Sequence, residues 1–179
     1  ILTFTTLDGV MQAPSSPDED SSGGFAHGGW ARPCWDNVMQ QVIVEAMSEP
    51  YDLLLGRKTY DIFAASFPNA GDNPVTNKVN AARKYVVTSS DCKLAWNGAV
   101  AISGDISTEI KKLKQQDGPL LQVHGSWQLI QALLEGDLID EFRLWHFPVV
   151  VGSGKRLFGD RSEPAKLELV RSATTSDGA

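Results

Sequence analysis

Two cations and a hydroxyl follow directly after an apolar run in the stretch DLLLGRKTYDIF, residues 52–63. The residues after its three leucines are Gly56, Arg57, Lys58 and Thr59. A buried strand that runs into a helix leaves the first amide N–H groups of that helix unpaired at the positive end of its dipole, where phosphates bind readily. Arg57 and Thr59 would add a planar guanidinium and a hydroxyl to such a site. The alternative is that Arg57 and Lys58 are exposed residues of the first helical turn.

Two further predicted strands also end in small polar residues. One ends within VHGSWQLI (123–130), where an amphipathic helix begins, and the other within VVTSSD (86–91). The polar residues at these ends are Gly125, Ser126, Thr88, Ser89 and Ser90. Ser126 is also a natural helix N-cap, and the three hydroxyls after the other strand could form only a turn. Because ligands of open α/β sheets collect outside the carboxyl ends of the strands, three such ends together favour a binding site.

Several motifs of other enzyme classes are absent. The segment VGSGKRLF (151–158) lacks the first glycine and the final hydroxyl of a G-x-x-x-x-G-K-[ST] phosphate loop. The histidines His27, His124 and His146 are scattered without a partner at metal-ligand spacing, so no metal site is predicted. The sequence has no G-x-S-x-G motif, so serine hydrolase chemistry has no support.

The net charge of −6 argues against nucleic acid as a partner, because neutralising its phosphates needs a basic face. No apolar run approaches the length that spans a membrane, and residues 1–10 lack the basic start of a secretion signal. Cys34 and Cys92 are far apart and form no paired motif. We therefore expect free thiols and a reducing, cytoplasmic compartment.

The elements that must position these residues alternate between strands and helices. Apolar patterns predict strands at 1–6, 51–55, 84–88, 100–103, 120–123, 141–151 and 166–173. Helical spacing recurs at 38–47, 57–65, 106–113 and 127–134, and loops are expected at 12–35 and 67–80. This alternation predicts a three-layer α/β fold with a mainly parallel sheet, in a single domain over residues 1–179.

Four pieces of the chain, in this order, resemble the dihydrofolate reductase superfamily. They are TTLDG (5–9), LLLGRKTYDIF (53–63), KYVVTSS (84–90) and residues 123–158. The closer resemblance is to the branch that contains the reductase domain of bifunctional riboflavin-biosynthesis enzymes and many stand-alone reductases. It implies an NADPH-binding α/β fold with antiparallel C-terminal strands, a homodimer, and hydride transfer from nicotinamide.

The resemblance assigns one set of residues to the cofactor, beginning with the GRKT segment at Gly56. Arg57 and Thr59 would hold the adenosine-side phosphates, with Arg57 or Lys58 near the 2′-phosphate. The adenosine end would be lined by Thr88, Ser89 and Ser90. Backbone N–H groups for the pyrophosphate would come from Gly125, Ser126 and Trp127.

The substrate side departs from dihydrofolate reductases. Their substrate-binding carboxylate falls near Gln40 here, and an amide cannot form a charged pair with a pterin. Asp36, about one turn earlier, could substitute or could be a helix N-cap. Asp8 is the candidate proton donor, with a turn residue and bound water as alternatives. The loop 12–35, with its aromatic residues Phe25, Trp30 and Trp35, could cover or line the substrate pocket, or could only anchor itself to the body or form a dimer contact.

Three functions are compatible with these residues. The first is an NADPH-dependent reductase of a small heterocycle or carbonyl compound. The second is the riboflavin-pathway 5-amino-6-(5-phosphoribosylamino)uracil reductase, for whose phosphate Lys155 and Arg156 are the obvious cations, unless they are simply solvated. Pro33-Cys34 is not followed by the second cysteine of a zinc deaminase, so that half of the bifunctional enzymes is not expected. The third is a nucleotide-binding protein without turnover.

Overall fold

The three consecutive leucines lie in an inner strand of a four-stranded parallel sheet. The strands are β2 (Tyr51–Gly56), β3 (Lys84–Val87), β4 (Ala99–Ile102) and β5 (Leu120–Gln122), in the order β4-β3-β2-β5. Every pairing in this sheet is parallel. Leu53, Leu54 and Leu55 are at most 2% exposed, so side chains on both faces of β2 are covered. An unbroken apolar run is what a strand covered on both faces requires.

The computed structural model describes residues 1–89, 93–159, 164–175 and 178. The chain divides into two compact units. Unit 1 comprises Ile1–Leu2 and Val44–Arg143, and unit 2 comprises Thr3–Ile43 and Leu144–Ala179. A single domain over residues 1–179 stays a prediction beside this division.

In its described residues, unit 1 holds a 3-10 turn at Phe67–Asn69, the parallel sheet and four α-helices. They are α2 (Arg57–Ser66), α3 (Pro74–Ala81), α4 (Ile106–Lys114) and α5 (Trp127–Glu135). Its most deeply buried apolar residues, besides the leucines of β2, are Val79, Val86, Ile110 and Ile130. The loop predicted over 67–80 is wrong in its second half, where α3 begins. Asn73 caps α3 by accepting the Thr76 N–H at 2.9 Å, and proline follows Asn73, which is a favourable start for a helix.

Unit 2 holds most of β1 (Leu2–Thr6), α1 (Asn37–Ala46) and β6 (Arg143–Phe147), and β1 pairs with β6. Its core contains Val10, Met39, Phe147 and Leu157, each at most 1% exposed. The loop 12–35 is irregular as predicted, apart from short 3-10 turns at Ser22–Gly24 and Arg32–Cys34. Cys34 is a free thiol, and Cys92 lies outside the described residues.

The C-terminal region differs from the strands predicted for it. Strand β6 ends before Pro148. Just after it, the Val149 N–H donates a hydrogen bond to the Phe147 carbonyl at 2.8 Å. Residues 164–175 form no strand, and Leu169 is 80% exposed there, so the strand predicted at 166–173 is wrong. An antiparallel bridge joins Val10 to Arg156. The predicted mixed α/β fold with a mainly parallel sheet is confirmed. No helix in the described part of the chain is long and apolar enough to cross a membrane.

Candidate functional site

Two hydrogen bonds join the carboxyl ends of β2 and β5 in unit 1. The Ser126 N–H donates to Thr59 Oγ1 at 3.0 Å, and the Gly56 N–H donates to Ser126 Oγ at 3.0 Å. We call this pair of bonds among Gly56, Thr59 and Ser126 the clasp. Helix α2 begins one residue after Gly56, and α5 begins one residue after Ser126. The clasp therefore brings the N-terminal ends of two helices together at one edge of the sheet.

Ser126 has an unusual backbone conformation. Gly125 and Ser126 both have positive φ angles, +54° and +58°, so two left-handed residues precede α5. A left-handed serine costs about 1–2 kcal/mol, and both hydrogen bonds of the clasp oppose that cost. Ser126 occupies the N-cap position, as predicted, but its side chain does not cap α5. Its hydroxyl instead donates to the His124 carbonyl at 3.1 Å while accepting the Gly56 N–H.

Gly56 does not need the conformational freedom of glycine. Its φ of −73° is open to any residue. A Cβ at this position would lie 3.6 Å from the Ser126 Cβ, which is an ordinary contact. A methyl group would therefore fit, and side chains longer than alanine would meet Ser126.

The carboxyl end of β3 lies beside the clasp. Gly56 is paired with Val87 in the parallel register, so Thr88 follows at the same edge. Thr88 is buried, its N–H donates to the Ile102 carbonyl at 3.0 Å, and Ser89 is exposed. Ser90 lies outside the described residues. The structure thus brings together three strand ends that the sequence suggested separately.

Arg57 is paired within its own helix. Its Nε donates to both carboxylate oxygens of Asp61, one turn along α2, at 2.9 Å. The two side chains are 37% and 53% exposed, and exposed ion pairs of this kind contribute about 0–1 kcal/mol. Lys58 is exposed, and Trp127 is the half-buried first residue of α5. An anion at this edge would compete with Asp61 for the guanidinium.

His124 contributes no positive charge to this edge at neutral pH. Burial lowers the pKa of its imidazole to about 4. Its Nε2 lies 3.1 Å from Gln122 Oε1. His124 is therefore a neutral side chain with a partner in the sheet.

Asp8 lies in unit 2 and is held by several donors. Its carboxylate accepts the Thr6 hydroxyl at 2.6 Å and the Gly152 N–H at 2.9 Å, and Arg156 Nη2 lies 3.6 Å away. The hydrogen bond from Thr6 is the main cause that lowers the pKa of Asp8 below its usual value. An ionised carboxylate holds no proton to donate at neutral pH. The proton-donor role of Asp8 stays a prediction, and these contacts favour the turn role instead.

The other substrate-side residues have mainly structural contacts within unit 2. Asp36 caps α1, because its Oδ1 accepts the Met39 N–H at 2.6 Å. Gln40 is an exposed residue of α1. Trp30 is only 6% exposed, its indole N–H donates to the Gln12 carbonyl at 2.8 Å, and its ring meets Phe147 edge-on. The substrate roles of Asp36, Gln40 and Trp30 stay predictions.

The two cations of the GSGKR segment have carboxylate partners. Lys155 Nζ lies 2.6 Å from Asp20 Oδ2, and Arg156 lies beside Asp8. The Lys155 ammonium also donates to the Ser22 hydroxyl at 2.8 Å. The positive charges that a phosphate would need are therefore already balanced by carboxylates.

Three aromatic residues that the sequence did not single out form a cluster in unit 2 with Trp35, an aromatic residue of the loop 12–35. The ring of Phe4, in β1, lies edge-on to those of Trp35, Trp145 and Phe147, with centroids 5.5–5.7 Å apart. We call these four residues the aromatic cluster. The alternation in RLWHF (143–147) could have indicated it, since Trp145 and Phe147 lie on one face of β6. In the described residues, no group of three or more His, Cys, Asp and Glu could hold a metal ion.

Comparison with known proteins identifies the family. The RibD C-terminal domain family model matches residues 1–179 of the chain. The chain belongs to the RibD C-terminal domain family. The resemblance to the reductase domain of riboflavin-biosynthesis enzymes, expected from the sequence, is thereby confirmed.

The similar proteins include two from Bacillus subtilis (strain 168) and one of known structure. The uncharacterized protein YyaP is 34% identical over 131 residues, which cover 70% of this chain and 69% of YyaP. The uncharacterized protein YwjB is 30% identical over 117 residues, which cover 65% of this chain and 63% of YwjB. A crystal structure of a Shewanella sp. PV-4 protein, provisionally assigned to riboflavin biosynthesis, has a TM-score of 0.66 at 20% identity. It covers 99% of this chain and 92% of that protein, and it establishes the fold.

Proposed function

We propose that this member of the RibD C-terminal domain family is an NADPH-dependent reductase of a small heterocyclic or carbonyl substrate. The observation that carries the proposal is the clasp, because it holds the N-terminal ends of α2 and α5 beside each other. Both helix dipoles have their positive ends there, where phosphate groups are stabilised. Family membership supports the reductase chemistry.

The residues around the clasp fit a dinucleotide in three respects. The left-handed Gly125 and Ser126 precede a helix, and such turns direct backbone N–H groups towards an anion, which would compete with Thr59 Oγ1 for the Ser126 N–H. The Ser126 side chain does not cap α5, which leaves that role to other groups. Thr88 and Ser89 continue the same edge from β3 towards the adenosine end. When bound, the nicotinamide would supply the hydride.

Arg57 and Lys58 support NADPH over NADH. Both lie in the first turn of α2, next to the clasp. A 2′-phosphate can accept two parallel hydrogen bonds from a guanidinium, and it carries more charge than the Asp61 carboxylate that Arg57 contacts now. We expect Arg57 to exchange Asp61 for the 2′-phosphate on binding.

The riboflavin-pathway reductase is the weaker enzyme proposal. Its substrate carries a phosphate, and Lys155 and Arg156 were the cations expected to meet it. Both already lie in ion pairs, with Asp20 and Asp8. Family membership keeps this function open, whereas the charges of the GSGKR segment do not favour it.

We also propose a homodimer, as the resemblance implies. Leu7 and Val150 are 67% and 69% exposed, and the Leu7 N–H donates to the Val149 carbonyl at 2.9 Å, so these apolar side chains lie on neighbouring segments of unit 2. Exposed apolar patches often mark contacts between proteins. Sedimentation velocity would test the proposal, and a monomer at all concentrations would reject it.

Calorimetric titration with NADPH and NADH, followed by turnover assays with a panel of heterocycles and carbonyl compounds, tests the reductase proposal. We expect NADPH to bind in the micromolar range and NADH much more weakly. Loss of reduced-nicotinamide absorbance with any substrate would establish an enzyme. Binding of NADPH without turnover would favour a nucleotide-binding protein, and binding of neither cofactor would reject the proposal.

A further inference from the structure

Trp145 carries a buried N–H group that has no hydrogen-bond partner among the described residues. Three tryptophans are buried to a similar degree, since Trp30, Trp96 and Trp145 are 6%, 7% and 7% exposed. Trp30 donates its indole N–H to the Gln12 carbonyl at 2.8 Å, and Trp96 donates to Asn80 Oδ1 at 3.1 Å. Trp145 departs from this pattern. Buried indole N–H groups usually have a partner, because leaving one unpaired costs the hydrogen bond that it made with water.

A second buried polar atom without a partner in the described residues is the Tyr51 hydroxyl. Tyr51 is the first residue of β2, at the opposite end of the strand from the clasp. Ligands of parallel sheets collect outside the carboxyl ends of the strands. Trp145 is therefore the better candidate for contact with a substrate.

Trp145 belongs to the aromatic cluster and packs against one of its rings. Its ring lies at 90° to that of Phe4, whose ring also meets Trp35 and Phe147 edge-on. Trp35 is 44% exposed, so the cluster has an open side at this ring. Flat apolar rings pack well against such a cluster.

The carboxylates near this part of unit 2 have other roles. Asp36 caps α1, and Asp8 accepts hydrogen bonds from Thr6 and Gly152. A substrate that packs on the aromatic cluster therefore meets ring faces, ring edges and an N–H donor. Such surroundings suit a neutral, flat molecule with an acceptor oxygen.

We propose that the substrate is a flat, uncharged ring compound with a carbonyl group, and that its oxygen accepts the Trp145 indole N–H in the aromatic cluster. The inference rests on the proposed reductase function and names the class of its substrate. Since the N–H is covered in this structure, the side chains that cover it move when the substrate enters. A site built to donate to an oxygen rejects analogues without it, because the donor is then left unpaired.

Titration with coumarin and naphthalene, followed by the indole N–H signals in a ¹H–¹⁵N spectrum, tests this proposal. The two probes have similar flat bicyclic shapes, and only coumarin has a carbonyl group. The protein has five tryptophans, so Trp145→Phe identifies the Trp145 signal by its loss. We expect coumarin, and not naphthalene, to move this signal downfield. We also expect coumarin to bind about 5- to 30-fold more tightly than naphthalene to the wild type and about equally to Trp145→Phe.

A second variant tests whether the preference for coumarin depends on the N–H group or only on the packing of the double ring. Replacing Trp145 by benzothienylalanine keeps the double ring and removes the N–H donor, so it should lose the preference for coumarin while keeping its affinity for naphthalene. Coumarin binding without a change in the Trp145 signal would overturn the proposal. The proposal would also be overturned if both variants kept the wild-type preference for coumarin, if neither probe bound up to its solubility limit, or if the Trp145 N–H were hydrogen-bonded only to a bound water.

The outcome is separable from that of the proposed function. NADPH binding is read from the backbone amides around the clasp in unit 1, and the probes are read from the Trp145 indole. If NADPH fails to bind while coumarin moves the indole signal, the reductase function fails and the carbonyl contact stands. The opposite result keeps the reductase and rejects this substrate class.

Discussion

Thr59 and Ser126 are 67 residues apart in the chain, and a 3.0 Å hydrogen bond joins the Ser126 N–H to the Thr59 hydroxyl. This bond links the first turn of α2 to the residue before α5. Because the Gly56 N–H also donates to Ser126, the two strand ends are fixed to each other at two points. The cofactor proposal depends on this relationship, since neither helix end alone distinguishes a binding site from an ordinary turn.

Thr59→Val should weaken NADPH binding about 5- to 30-fold and lower the free energy of unfolding by about 1 kcal/mol. The substitution keeps the shape of the side chain and removes the acceptor for the Ser126 N–H. Thr59→Ser is the matched control, because it keeps the hydroxyl, and it should stay close to the wild type. Calorimetry and urea unfolding measure both effects, and unchanged affinity in Thr59→Val would separate the clasp from cofactor binding.

Arg57→Ala should weaken NADPH by about 1.5–3 kcal/mol, as expected for a charged hydrogen bond, and NADH much less. The reason is that Arg57 is proposed to meet the 2′-phosphate. Asp61→Asn provides the converse test, since it removes the carboxylate that now holds the guanidinium and should strengthen NADPH binding. Equal losses for both cofactors in Arg57→Ala would assign Arg57 to the pyrophosphate, and no loss for either would remove it from the site.

We expect the protein to become more stable as the pH rises from about 8 towards 10.5, because Lys84 loses its proton in the folded state over this range. Its ammonium is buried, donates to the Asn80 and Asn97 carbonyls, and lies 4.3 Å from the centre of the Trp96 ring. Burial lowers its pKa from 10.5 to about 8. In this pH range the unfolded chain holds the proton that the folded chain has lost, so raising the pH favours folding.

Thermal unfolding from pH 7.5 to 9.5 would measure this dependence. Lys84→Met keeps most of the side-chain volume and removes the charge, so its midpoint should rise less with pH than that of the wild type. Lys166→Met, at an exposed position, is the matched control and should follow the wild type. Parallel curves for Lys84→Met and the wild type would contradict the lowered pKa.

The sequence predicted those elements that form because of residues close to one another in the chain. The run of leucines identified β2, and Asp36 caps α1 as its position before an amphipathic helix indicated. The clasp could not be predicted in the same way. Ser126 has the side chain of an N-cap, but the Gly56 amide, 70 residues away, competes for its hydroxyl. The tertiary structure decides whether the Ser126 hydroxyl bonds to its own helix or to a residue far away in the chain.

Unit 2 also contains residues whose tertiary contacts could not be predicted from the sequence. Trp30 lies in a glycine-rich loop, which suggested either a substrate pocket or an anchor, and the sequence alone could not show that its ring is buried against Phe147. Phe4 and Trp145 lie in strands, where aromatic residues are common, so the alternation in RLWHF could have indicated Trp145 and nothing in the sequence marked Phe4. The apolar alternation of residues 166–170 predicted a strand, and strand formation needs a paired neighbour that local pattern alone cannot supply.

Asp8→Asn should destabilise the protein by about 1–3 kcal/mol and leave NADPH affinity unchanged. The carboxylate accepts two backbone N–H groups, from Val151 and Gly152, and the hydroxyl of Thr6. Because its pKa is lowered in the folded state, its contribution to stability is present above pH 3.8 and is lost as the pH falls through the folded pKa. Unfolding at pH 7 and pH 3 measures this. Unchanged stability with complete loss of turnover would instead support Asp8 as the proton donor.

A map of backbone amide chemical shifts on addition of NADPH tests most directly whether the clasp forms a cofactor site. We expect the largest shifts at the two helix ends that the clasp joins, on Gly56, Arg57, Gly125, Ser126 and Trp127. We expect much smaller shifts with NADH at the same concentration. Shifts that avoid both helix ends, or no shifts at millimolar NADPH, would contradict the claim that the clasp forms a cofactor site.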